Sequence, residues 1–246
     1  METQSLSSCE LLNIWEKGQY EAPPQRALML LAGFCKKKMP EDLARLPIGV
    51  RDALLLSLRE KIFGQNFSGL ATCPGCGQWL EASFSSEEIR MTASSEAGQS
   101  LSAEMDDYVV HFRLPDTLDL IAIVEISDRD EATQALLGRC ILDASYRGEE
   151  IAFDALPETV HEAALKLMNE SDPQADVQLD LCCPECDHKW QAAFDILSYL
   201  WKEIDAWAFR ILSDVHLLAS AYGWSEADIL AMSNWRRQIY LDLVSR

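Results

Sequence analysis

The chain has 246 residues, of which 48% are apolar and eight are cysteines, and its formal net charge is −19. It is long enough to bury a sizeable core. Eight cysteines in this length do not make a disulfide scaffold, no run of about 18 uncharged apolar residues could span a membrane, and the acidic balance repels phosphate backbones, which argues against nucleic acid as a partner.

The opening residues METQSLSSCE lack the basic and apolar regions of a signal peptide, so the expected location is cytoplasmic, where thiols stay reduced. In chain order, residues 1–70 read as a helical region. LSSCELLNIWEKGQY has a serine cap and an apolar stripe at Leu11, Ile14 and Trp15. Pro23 and Pro24 open a second helix through QRALMLLAGFC, which Lys36, Lys37 and Lys38 suit as an end. LPIGVRDALLLSLREKIFG is a third helix, stopped by Gly64. QWLEASF reads as a short strand. Residues 85–107, rich in Ser, Ala and Glu, read as a mobile or extended loop.

YVVHFRL then reads as a strand, PDTLDLIAIVEISD and RDEATQALLGRCIL as helices, EEIAFDAL as a short strand and PETVHEAALKLMNE as a helix. DPQADVQLDLCCPECDHKWQAAFDI is strand, cysteine turn, strand. Residues 195–222 carry apolar side chains at helical spacing, enough for a rod of roughly 40 Å, with Gly223 as its stop. Ser225 and Asp228 resemble a capping box for EADILAM, and Ser233 or Asn234 caps WRRQIYLDLV.

Two turns echo each other. TCPGCGQW carries Cys73 and Cys76, CCPECDHKW carries Cys183 and Cys186, and 106 residues lie between them. Two C-x₂-C turns supply four soft ligands to one tetrahedral ion, each turn setting two sulfurs on it. Pro74 and Pro184 fix the first φ of each turn, while Gly75, Gly77 and Asp187 tolerate unusual backbone angles. The expected architecture is α+β: a split zinc ribbon over residues 71–84 and 176–194, a large acidic α/β insertion over 85–175, and helices at both ends, the last over 195–246. One structural Zn²⁺ is the expected cofactor, with an iron centre or redox dithiols as alternatives. Residues 73–194 hold seven basic and twenty-five acidic side chains, a solvated face or a match for a basic partner.

Cys9, Cys35 and Cys140 read as small core residues. Cys182 would point away from Cys183, and His188 finds the shell already filled. No Gly-rich phosphate loop, H-E-x-x-H or G-x-S-x-G occurs. His111, His161 and His216 have no sequence partner for acid–base work, and no enzyme is expected. Trp201, Trp207, Trp224 and Trp235 crowd the final quarter and read mostly as core, and with Arg236 and Arg237 beside them they also suit an anchor for a protein interface.

An ordered series of segments resembles the T4-type baseplate hub assembly chaperone family of contractile phage tails and phage-like contractile injection systems. The series runs from LPIGVRDALLLSLREKIFG and LATCPGCG through RLPDTLDLIAI, RCIL and LPETVHEAALKLMNESDPQADVQLDLCCPECDHKW to FDILSYLWKEIDAWA and DVHLLASAYGWSEADILAMSNWRRQIYLDLV. The resemblance implies metal at Cys73, Cys76, Cys183 and Cys186. It also implies a non-enzymatic role in assembling hub or spike proteins, with no nucleic acid or membrane partner. His216, Tyr222, Trp224, Ser225, Glu226, Arg236 and Arg237 fall in its C-terminal signature as partner-contact candidates. The alternatives are a permanent baseplate component and a zinc-ribbon regulator binding nucleic acid.

Overall fold

A serine placed to cap and a periodic apolar stripe are enough to start the first helix, and the computed structural model, which describes residues 3–91 and 100–244, bears this out. In α1 (Ser8–Gly18) the Ser7 hydroxyl accepts the Glu10 amide, and the Glu10 carboxylate takes the Ser7 amide in return. Pro23 opens α2 (Pro23–Phe34), which ends before the three lysines. Lys36 therefore does not close that helix; it pairs with Glu10 across to α1. Pro40 opens α3 (Pro40–Ala44), a short helix that sequence periodicity did not reveal, because five residues carry no period. α4 (Ile48–Phe63) stops at Gly64.

β1 (Asn66–Thr72) and β2 (Trp79–Ser85) form an antiparallel hairpin, followed by the single turn α5 (Ser86–Ile89). The expected loop at 85–107 is thus structured at both ends, since β3 (Leu101–Met105) pairs with β4 (Tyr108–Phe112). Leu101, Ala103 and Met105 alternate with polar residues, a period-two signal that the Ser- and Glu-rich composition obscured. Residues 92–99 of that expected loop lie outside the described residues. α6 (Thr117–Ile123) and α7 (Arg129–Cys140) follow. The second of these expected helices ends at Cys140, and Ile141 instead begins β5 (Ile141–Tyr146) beside β4. EEIAFDAL keeps only β6 (Glu149–Glu150) and then forms a 3₁₀ turn at Phe153–Ala155. After α8 (Glu158–Ser171) come β7 (Val177–Cys182) and β8 (Lys189–Phe194), a second hairpin. The chain ends with α9 (Ile196–Tyr222), α10 (Glu226–Leu230) and α11 (Asn234–Val244). Gly223, at φ 68°, terminates α9, and the Ser225 hydroxyl caps α10 at Asp228.

Helices and small antiparallel sheets therefore mix. Leu30, Leu31 and Phe34 of α2, Leu55 and Leu58 of α4, and Leu200 and Ile204 of α9 form the main core. The second half of α9 packs Ile211, Val215 and Leu218 against Ile229, Leu230 and Leu241. Between the hairpins, β3–β4–β5–β6 make a four-stranded sheet. Val160, Ala164 and Met168, spaced four apart on α8, pack with Val110, Phe112 and Ala144 of that sheet. Ile48 donates its amide to the Pro115 carbonyl, and Gly49 donates to the buried Asp172 carboxylate at 2.8 Å. These bonds tie the intervening segment to the start of α4, where unpaired helix amides need acceptors.

Arg59 joins α4 to α9. Its guanidinium makes two hydrogen bonds to Glu203, at 2.8 and 2.7 Å, a third to the Gly64 carbonyl, and lies 3.8 Å from the Phe67 ring centroid. Arg59→Ala should lower stability by about 3 kcal/mol in urea denaturation, because Glu203 loses its partner in a partly buried site. Lys166→Ala, in the exposed Lys166–Glu170 pair, should change it by less than about 0.5 kcal/mol. Equal effects would show that the Arg59 network holds nothing together.

Asp52 is buried beside Arg51. Burial pushes its carboxyl up to about 6, against the pull of the Arg51 charge. A folded-state value above the unfolded one means that this group adds stability as pH falls through 6. Relative to Asp52→Asn, the wild-type chain should gain about 1 kcal/mol between pH 7 and pH 5. Parallel pH profiles for the two proteins would refute this.

Candidate metal centre

Both cysteine turns are built alike. In the first, the Cys73 amide donates to the Gln78 carbonyl and the Gly77 amide to the Cys73 carbonyl. In the second, Cys183 donates to His188 and Asp187 to Cys183 in the same pattern. The residue after each second cysteine is left-handed, with Gly77 at φ 74° and Asp187 at φ 56°. Aspartate is among the few side chains that adopt this conformation readily, so the missing glycine leaves the second turn unchanged.

The two turns meet. Cys73 and Cys186 sulfurs lie 3.7 Å apart, as do those of Cys76 and Cys183, and all four ligand atoms fall within 4.8 Å of one another. A tetrahedral ion with metal–sulfur bonds of about 2.3 Å needs sulfurs about 3.8 Å apart. The cluster has that spacing, whereas a disulfide requires about 2.05 Å. Cys73 and Cys183 are buried, and Cys76 and Cys186 face outward. A side chain at Gly75 would come within 3.1 Å of the His188 ring, so a bare backbone there lets the turns approach.

The thiols are electrostatically interdependent. Burial opposes the Cys73 thiolate, but hydrogen bonds from the Cys76 and Gly75 amides and from the Cys186 and Cys183 thiols together hold its pKa at about 7. A backbone hydrogen bond at His188 favours the Cys186 thiolate, yet the neighbouring sulfurs, Cys76 foremost, push it up to about 12. Four thiolates at this spacing repel, and a divalent cation removes that repulsion. The four sulfurs could therefore hold one metal ion in a closed shell.

The hairpins also meet at their other ends. Phe67 stacks on Phe84 at 5.1 Å between centroids, and Phe194 meets both edge-on at 5.7 and 5.3 Å. Tyr199, from the first turns of α9, joins this group and donates its hydroxyl to the Ser68 carbonyl. These aromatics set the spacing at the base of the hairpins, and nothing in the cysteine pattern pointed to them. Phe84 and Phe194 occupy equivalent places in the two turn-and-strand segments, eight residues after Cys76 and Cys186, and that equivalence was the available signal.

Cys182 is exposed with its sulfur near the Cys183 carbonyl, outside the cluster. His188 is also outside it, at a 6.0 Å ring contact with Trp190. Cys35 and Cys140 are buried core residues, but Cys9 is exposed, because it lies on the outer side of α1. The C-terminal signature residues are far from uniform. His216, Tyr222, Glu226 and Arg236 are exposed, and Trp224, half-buried, stacks on Tyr222 and meets Tyr240 edge-on. Arg237 is buried, with Nε 3.2 Å from Asp214 and Nη2 2.8 Å from Asn234. It joins α11 to α9, which a run of two arginines in sequence could not disclose.

Residues 25–201, more than two thirds of the chain, match the family described as T4 bacteriophage base plate protein. The match spans both cysteine turns and ends in the first turns of α9, before the C-terminal signature. No curated protein and no solved structure matches the chain.

A cobalt(II) titration of the reduced protein should reach a thiolate-to-metal absorption endpoint at one ion per chain. Cys186→Ser should abolish the tetrathiolate spectrum. An endpoint at two ions, or none, would break the assignment of these four sulfurs to one centre.

Proposed function

Since the chain belongs to the T4 bacteriophage base plate protein family, we propose that it is a non-enzymatic assembly chaperone for the hub or spike of a contractile tail or phage-like injection system. It is built on a split zinc ribbon that carries an acidic insertion. The observation that carries this reading is the closed four-sulfur cluster in a base plate protein. Four thiolates leave no open coordination position, so the ion braces the fold rather than acting on a substrate. Zinc suits an all-cysteine tetrahedral shell, and binding energies on the order of 10 kcal/mol are comparable to the stability of a whole domain. Cys73, Cys76, Cys183 and Cys186 are its ligands.

The net −18 of residues 73–194 supplies a surface to occupy a basic docking face on an unassembled hub component. A chaperone must bind that free component better than the finished assembly, and a long-range electrostatic match serves this if a tighter partner later displaces it. Family membership supports equally the role of a permanent base plate component, and particle composition separates the two. Purified particles should contain the chain below any symmetric copy number, while lysates before assembly should yield it bound to a hub or spike protein in a complex that weakens as salt is raised. A fixed symmetric copy number in finished particles would make it a structural part and overturn the chaperone reading. Metal analysis of the isolated chain should return zinc, and an iron content near one per chain would change the cofactor.

A further inference from the structure

A cavity lies away from the cysteine centre. It encloses about 740 Å³ between the residues leading into α1, the end of α4, the middle of α9 and the start of α11. Its lining holds Lys61, Arg210 and Arg237 against the single carboxylate of Asp214, a local excess of positive charge on a chain of net −19. Arg210 is exposed and has no ion pair or hydrogen bond among the described residues. Lys61 bonds to the neutral Thr3 hydroxyl and carbonyl and lies 5.0 Å from the Phe34 ring centroid, and no carboxylate pairs with it among the described residues. Arg237 is 5% exposed, pairs with Asp214, and keeps its buried Nη1 without a hydrogen-bond partner, a donor of the kind that folded proteins normally satisfy. The first residues of α1 and α11, Ser8 and Asn234, also line the cavity, and helix N-termini add positive potential. Part of the wall is apolar, and Phe209 stands 61% exposed there.

We infer that this cavity is a docking site for an acidic segment of a partner protein, in which carboxylate side chains meet Arg210 and Lys61 while an apolar neighbour covers Phe209. Arg210 and Lys61, the two lining cations that Asp214 does not pair, call for more than one carboxylate. A free phosphate would leave the apolar wall uncovered, and the volume admits several side chains. The protein is thereby electrostatically two-sided: an acidic middle that fits a basic surface, and a basic pocket in the helical body that fits an acidic one. That the partner is a base plate protein rests on the proposed function; the chemistry of the site does not.

The test is fluorescence anisotropy with the full chain and a short labelled peptide in which Glu alternates with Leu and Phe. Binding should occur, weaken with salt, and fall about 10-fold or more when Gln replaces Glu, the equivalent of losing one good ion pair. Arg210→Glu should reduce it at least as much, with circular dichroism and the urea midpoint unchanged. Should that variant be unstable, Arg210→Gln and Phe209→Ser provide the same readout. Equal binding of the Gln peptide, or undiminished binding by the Arg210 variants, overturns the inference. Displacement of the peptide by equimolar inorganic phosphate assigns the site to a small anion instead, and a doubled mass in solution that Arg210→Glu abolishes assigns it to a second copy; either result overturns the partner segment. Recovery of the hub complex undiminished in Arg210→Glu refutes this site while leaving the chaperone reading intact. A fixed copy number in particles does the reverse.

Discussion

Two hairpins far apart in the chain meet at both ends, and the rest of the structure is arranged around that meeting. At the turns, four sulfurs converge to the spacing of one tetrahedral ion. At the base, Phe67, Phe84 and Phe194 pack against one another and against Tyr199. Aromatic packing orders the base, and at the turns four thiolates would repel one another without a shared cation. Together the two contacts fix the ends of the segment running from β2 to β7, which reduces the chain entropy that segment would otherwise have to overcome.

The helical body extends that arrangement into the protein. Arg59 touches Phe67 at the hairpin base and holds Glu203 of α9, so the two-hairpin unit, α4 and α9 are fixed relative to one another. At the start of α4, Asp172 accepts the Gly49 amide and Pro115 accepts that of Ile48. The intervening segment therefore supplies the acceptors for the first amides of α4, a role that a local serine or aspartate fills elsewhere, as Ser7 does for α1 and Asp128 for α7. α9 spans both cores, packing its first half with α2 and α4 and its second with α10 and α11. One rigid helix thus connects the cysteine unit to the C-terminal cavity.

This layout separates charge. Acidic residues gather between and around the cysteine turns, while the cavity bordered by α9 and α11 gathers Lys61, Arg210 and Arg237. A base plate protein with two faces of opposite sign has a physical means of ordering its contacts, since each face favours partners that the other repels.

The sequence by itself determined the elements whose signals are local. The capping serines before α1 and α10, the long apolar stripe of α9 and its closing glycine, the period-two strands around Cys183, and the two C-x₂-C turns were all readable, because each depends on residues within one or two turns of chain. The four candidate ligands were legible for the same reason: the spacing inside each pair is a local property. β3 was hidden by composition, β5 by a helix that passes into a strand without a break at Cys140, and α3 by its shortness. That the two turns share one site was expected from their echo, and the tertiary structure brings them together. It alone assigned Lys36 to Glu10, buried Arg237 between α11 and Asp214, and brought Lys61, Arg210 and Arg237 around one cavity. Such pairings join residues up to 176 positions apart. They are set by how helices pack and where chain ends converge, and no period or spacing along the chain encodes that.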